Sequence, residues 1–112
     1  MSDSHEQTEH DAGSVVTVFR SRLRPEALEE YEPLAERMVE LARAMAGFVD
    51  YKTFAADDGE RVTVVTFASL EDHQAWRNHP EHRRAQALGR ERLYESFVIQ
   101  VCRCLKERRF PH

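Results

Sequence analysis

The sequence predicts an α+β domain in which a four-stranded antiparallel sheet carries its helices on one face. Three observations predict it. Residues 14–23, 48–56, 61–69 and 94–107 are four segments rich in β-branched and aromatic residues. A long stripe of apolar residues at helical spacing separates the first from the second. A shorter helical stretch, headed by serine and interrupted by proline, separates the third from the fourth.

Each element has a local cause. The run SVVTVFRSRL (14–23) reads as a strand of buried character. Pro25 suits the first turn of a helix, where its fixed φ fits and its missing N–H is not needed. Leu28, Tyr31, Leu34, Met38, Leu41 and Met45 then recur at steps of three and four, with Glu and Arg opposite. Pro33 removes one backbone donor, so it should bend this helix or mark a tighter start. Gly47 should stop it as a left-handed cap. FVDYKTFAA and RVTVVTFAS flank the turn DDGE and should pair as an antiparallel hairpin. Ser69 can cap the next helix, with Asp72 at its third position, close to a capping box. That helix runs to about Asn78 and is broken by Pro80. A second short helix follows, from Pro80 to Leu88, ended by Gly89, and YESFVIQVCRCLKE is the last strand. The order β-α-β-β-α-β is the split βαβ, ferredoxin-like arrangement.

Length and composition bound the function. The 112 residues make one domain, 41% hydrophobic and 32% charged, with a modest core. The first thirteen residues, MSDSHEQTEHDAG, hold four acids, no Lys or Arg, and almost nothing apolar. We expect a disordered acidic tail over 1–13, the domain over 14–106 and a C-terminal tail over 107–112. Net charge is -4, and setting those four acids aside leaves 16 acidic against 16 basic residues. A nucleic-acid partner would need a basic face, and a membrane span would need a long apolar run; the sequence has neither. Cys102 and Cys104, two apart on a strand, face the same way and lie too close for an ordinary disulfide. With no signal peptide, this reads as a protein of the reducing cytoplasm. Several strands are apolar on both faces, as at Val15 and Val16, Val64 and Val65, Val98 and Ile99. A bare second face of that size is large for a monomer, so a homodimer is expected, the second copy covering it.

Particular motifs go further. The A-G-F that ends the first helix, the aromatic end of the third strand and the S-L-E-x-x-x-A-W of the second helix stand in order. H-P-E-H and the Y…V-I-Q-V-C of the last strand follow. Over about residues 14–106 the chain thereby resembles the antibiotic biosynthesis monooxygenase domain family, the dimeric α/β-barrel proteins. The resemblance implies a ligand cavity between sheet and helices. It also implies cofactor-free oxidation of phenolic rings to quinones, as on aromatic polyketides. The family includes haem-degrading enzymes and proteins with no known reaction as well.

Two chemistries of the family can be compared position by position. The haem-degrading pattern has an asparagine on the first strand, a tryptophan in helix two, and an iron-ligating histidine ten residues later. Here these positions hold about Ser21, then Trp76, then Gln86. Haem would need a shifted ligand such as His79 or His82. The polyketide-oxidising pattern keeps the tryptophan, with a tyrosine about six residues later and an asparagine about four earlier. Here these are Trp76, His82 and Asp72.

The candidate catalytic residues are therefore His82 and Trp76. His82 falls in the first turn of a helix, where the dipole disfavours an imidazolium, and a neutral imidazole can take a proton from a phenol. An electron-rich phenolate can then meet O₂ without flavin or metal. Trp76 would wall the cavity and donate its indole N–H. Phe19, Ser21, Tyr51, Phe67, Asp72, His73, His79 and Tyr94 are the candidate substrate-binding residues. His73, His79 and His82, spaced H-x5-H-x2-H across a proline, match no standard zinc pattern, so no metal is expected. Two function classes stay open: a cofactor-independent monooxygenase acting on a phenolic or quinol small molecule, and a non-catalytic dimeric module binding a hydrophobic small molecule or haem.

Overall fold

The computed structural model describes residues 10–11 and 13–111. The chain forms β1 (His10–Asp11), β2 (Val15–Leu23), α1 (Leu28–Arg43), β3 (Phe48–Ala55), β4 (Arg61–Phe67), α2 (Leu70–Arg77), α3 (Pro80–Leu88), β5 (Tyr94–Arg103) and β6 (Lys106–Glu107). The main sheet is antiparallel throughout, in the order β3-β4-β2-β5, which is the predicted split βαβ topology. Most of the expected acidic tail lies outside the described residues. His10–Asp11 pairs antiparallel with Lys106–Glu107 and forms a small second sheet.

Strand register decides which residues meet the helices. Val15, Thr17, Phe19 and Ser21 alternate onto one face of β2, opposite Phe67, Val65, Thr63 and Arg61 of β4. On the other side, Val101, Ile99 and Phe97 of β5 continue that face. The core is built against its β4 half: Met38, Leu41 and Ala42 of α1, Val65 and Phe67 of β4, and Trp76 of α2. Phe67 is wholly buried, a side chain whose removal costs about 3–5 kcal/mol in typical cores. Toward β5 the helices leave the inner face part-covered, and a cavity lies there. The opposite face carries Val18, Val62, Val64 and Val98 with Phe54, and Val98 is 57% and Phe54 50% exposed.

Two helix ends differ from expectation. A single 3₁₀ turn, Pro25–Ala27, precedes α1, and Pro33 sits inside the helix. The helix ends at Arg43, and Gly47, at φ +80°, belongs to the turn after it. Gly47 joins two connections there. Its carbonyl accepts from the Ala68 N–H at 2.7 Å, and the Asp72 side chain lies where a Cβ would stand. α3 ends at Leu88 with Gly89 as its cap, but the chain runs on through a π-helical turn, Gly89–Leu93. The Gly89 φ of −59° needs no glycine, but a Cβ would come within 2.6 Å of the Tyr94 ring. Glycine is required by the neighbour, not by the backbone.

Candidate active site

Three short-range devices set the helical wall of the cavity. Ser69 Oγ accepts from the Asp72 N–H at 3.1 Å and donates to the Asp72 carboxylate at 3.0 Å, which starts α2. His79 Nδ1 accepts from the Glu81 N–H at 3.1 Å and caps α3, with Pro80 in its first turn. Arg37 of α1 grips Glu81 with two hydrogen bonds, 2.5 and 2.9 Å, and holds α3 beside α1. Trp76 thus faces the sheet from α2 and His82 from α3.

The two rings stack, centroids 4.2 Å apart and 28° from parallel. Phe67 supports the indole from the sheet at 5.3 Å, and Tyr51 meets it edge-on at 6.5 Å. His82 Nδ1 lies 3.3 Å from the Arg77 carbonyl oxygen. A carbonyl only accepts, so Nδ1 carries the hydrogen and Nε2 keeps a free lone pair. Burial holds the His82 imidazole below its ordinary value of 6.5; the Arg77 bond opposes this and the Arg77, His73 and His79 charges add to it. His73 is buried, with Nδ1 3.5 Å from the Thr17 hydroxyl, and burial and then Arg77 lower its pKa too. Trp76 is 5% exposed, and its indole N–H has no acceptor. A buried donor without a partner costs about 1–3 kcal/mol, so a ligand oxygen there recovers that energy.

The cavity beside this pair measures about 160 Å³. Phe19, Tyr51, His73, Trp76, His82 and Tyr94 line it, as the sequence suggested. Four candidates do not. Phe67 is core behind Trp76, and Ser21 is buried in the sheet beyond the cavity. Asp72 is spent on the cap of α2 and on Gly47, and His79 on the cap of α3. Thr17, Tyr31, Arg77, Gln86 and Arg90 line the cavity in addition. Strand alternation from Phe19 would have found Thr17; the arginines read as surface charge because only the tertiary fold brings them to the cavity mouth. Tyr94 packs edge-on against Phe19 and Tyr31. Burial pushes the Tyr51 hydroxyl up to about 12 and raises those of Tyr31 and Tyr94, so all three remain neutral donors.

Residues 14–88 match the family model for antibiotic biosynthesis monooxygenase, two thirds of the chain and both walls of the cavity up to α3. The chain belongs to that family. It is 34% identical over 93 residues to protein YqjZ of Bacillus subtilis (strain 168), covering 83% of this chain and 82% of that one. The structure of Rv0793 from Mycobacterium tuberculosis superposes with a TM-score of 0.75 at 25% identity, over 84% of this chain and 97% of that one. SnoaB, a cofactor-independent oxygenase from Streptomyces nogalater, shares the fold at 16% identity, with a TM-score of 0.73 over 90% and 100% of the two chains.

Within this antibiotic biosynthesis monooxygenase domain, haem does not fit the residues present. Gln86 occupies the position where the haem-degrading pattern has its iron ligand. A cavity of about 160 Å³ is well below the roughly 300–1,000 Å³ of sites for drug-sized ligands, and a porphyrin is no smaller. Among the described residues, no three His, Cys, Asp or Glu side chains gather as a metal site, and no helix is long and apolar enough to cross a membrane.

Proposed function

We propose that this protein is a cofactor-independent monooxygenase that oxidises a phenolic ring with O₂. The observation that carries the reading is the Trp76–His82 stack, with His82 Nδ1 tied to the Arg77 carbonyl. That bond leaves Nε2 as a neutral base facing a cavity of phenol size. Nε2 takes the phenol proton, and the Trp76 N–H, which has no other acceptor, steadies the phenolate oxygen. The phenolate passes electrons to O₂ and a ring carbon binds oxygen. One oxygen atom stays as the new carbonyl, and the other leaves as water with two hydrogens from the substrate. Phenol plus O₂ thus gives quinone plus water, and no outside reductant is consumed.

Replacing Trp76 with Phe keeps most of the packing and deletes the donor. Oxygen uptake with a simple phenol or hydroquinone is expected to fall about tenfold or more, with a loss of about 1–3 kcal/mol in transition-state binding. Unchanged uptake in an oxygen electrode removes the indole from the mechanism. Saturable binding with no uptake in the parent protein points instead to a binding module.

The protein works as a homodimer in this reading. The apolar outer face, with Val98 and Phe54 half-exposed, is covered by a second copy. Sedimentation at micromolar concentration is expected to give twice the chain mass, and a monomer there refutes it. A cytoplasmic setting suits the two free thiols, Cys102 and Cys104.

A further inference from the structure

The cavity wall carries an unbalanced charge. No Asp or Glu lines it, yet two arginines do: Arg77 at the end of α2 and Arg90 in the π-helical turn. Among the described residues neither side chain has a carboxylate or other partner. Four other arginines of the chain are paired with carboxylates: Arg20 with Glu60, Arg22 with Asp58, Arg37 with Glu81 and Arg92 with Glu30. Arg77 lies near enough to His73 and His82 for its charge to weaken proton binding by both, which puts it at the imidazole end. Both arginines are exposed residues, so they form the rim, while aromatic and aliphatic side chains form the interior. The buried Trp76 N–H is a separate, neutral demand for an oxygen acceptor inside.

Size is the second constraint. About 160 Å³ is close to the roughly 150 Å³ of an apolar protein cavity that binds benzene. One ring fills it, and a fused polycycle would extend past its open rim.

We propose that the ligand is a single-ring aromatic carboxylate with a phenolic hydroxyl. The ring lies among Phe19, Tyr51 and Tyr94, the phenol oxygen faces Trp76 and His82, and the carboxylate meets Arg77 and Arg90 at the rim. The phenol rests on the oxygenase reading above; the charge and size rest on the wall alone. Guanidinium–carboxylate pairing is charge-assisted and two-pronged, so it selects the acid over its neutral ester.

The test is isothermal titration of the full chain with 3-hydroxybenzoate, its methyl ester and anthracene-2-carboxylate. The acid is expected to bind at least tenfold more tightly than the ester at low salt, an advantage that shrinks as salt screens the rim. In the Arg77→Gln, Arg90→Gln double variant the advantage should drop below twofold while ester affinity is kept. Equal binding of acid and ester, binding of neither at millimolar concentration, or tighter binding of the anthracene acid overturns the proposal. Oxygen uptake on the same samples separates the two readings. Uptake with equal affinity for acid and ester leaves the oxygenase and removes the anion rim. Tenfold preference without uptake leaves the rim and removes the oxygenase.

Discussion

Replacing His82 with glutamine is expected to lower turnover of a phenolic substrate by about 10²–10⁴-fold, the usual contribution of one positioned general base. Glutamine keeps a polar side chain of similar reach but cannot take the proton. Most of the loss should fall on kcat, because the ring is still held by Trp76 and the tyrosines. The pH profile gives a second readout. Burial lowers the His82 pKa, so the neutral base persists below pH 6.5, and activity should rise with pH through a midpoint under that value. The variant should lack this acid limb. A variant with full turnover, or with the same limb, excludes His82 as the base.

The same shift has a stability consequence whose sign is fixed. His73 and His82 both bind a proton more weakly in the folded chain than at the ordinary value of 6.5. Below pH 6.5 the unfolded chain therefore holds more protons than the folded one, and stability falls as pH drops toward the folded values. Well above pH 6.5 both imidazoles are neutral in either state, and this contribution is flat.

A large loss of stability is also expected from Gly47→Ala. At φ +80° an alanine pays about 1–2 kcal/mol for the left-handed backbone, and its Cβ would overlap the Asp72 carboxylate, 2.1 Å away. Displacing Asp72 also breaks its bonds with Ser69, a cap worth about 1 kcal/mol. The sum is about 2–4 kcal/mol, or a fall in Tm of roughly 10–20 °C for a domain of this size. Gly59→Ala is the matched comparison. It shares the positive φ, at +91°, but nothing lies within 4 Å, so only the backbone cost of about 1–2 kcal/mol applies. Equal effects in thermal melts would refute the Gly47–Asp72 contact.

Such contacts mark the boundary of what the sequence discloses. Period-two and period-3.6 patterns are local, and they located every strand of the main sheet and all three helices. The Ser69–Asp72 cap was legible because it spans four residues. Trp76, His82 and Tyr94 could be placed in the cavity through motif resemblance. Asp72 and His79 were expected to touch a ligand, and the fold places both in helix caps outside the cavity lining. The backbone donors there, Asp72 N–H to Ser69 and Glu81 N–H to His79, engage both regions in helix starts. Arg77 and Arg90 were hidden differently. Their charge suits a solvated surface, and the approach of Arg90 to the cavity depends on the π-helical turn after α3, which has no clear sequence signature.

Trp76 is the only tryptophan in the chain, and it lies face to face with His82 inside the cavity wall. Its ultraviolet emission therefore arises from one place alone. Both events proposed for the site, arrival of a ring and protonation of the imidazole, change the surroundings of that single fluorophore, so the unlabelled protein carries an optical probe within the wall of its own cavity.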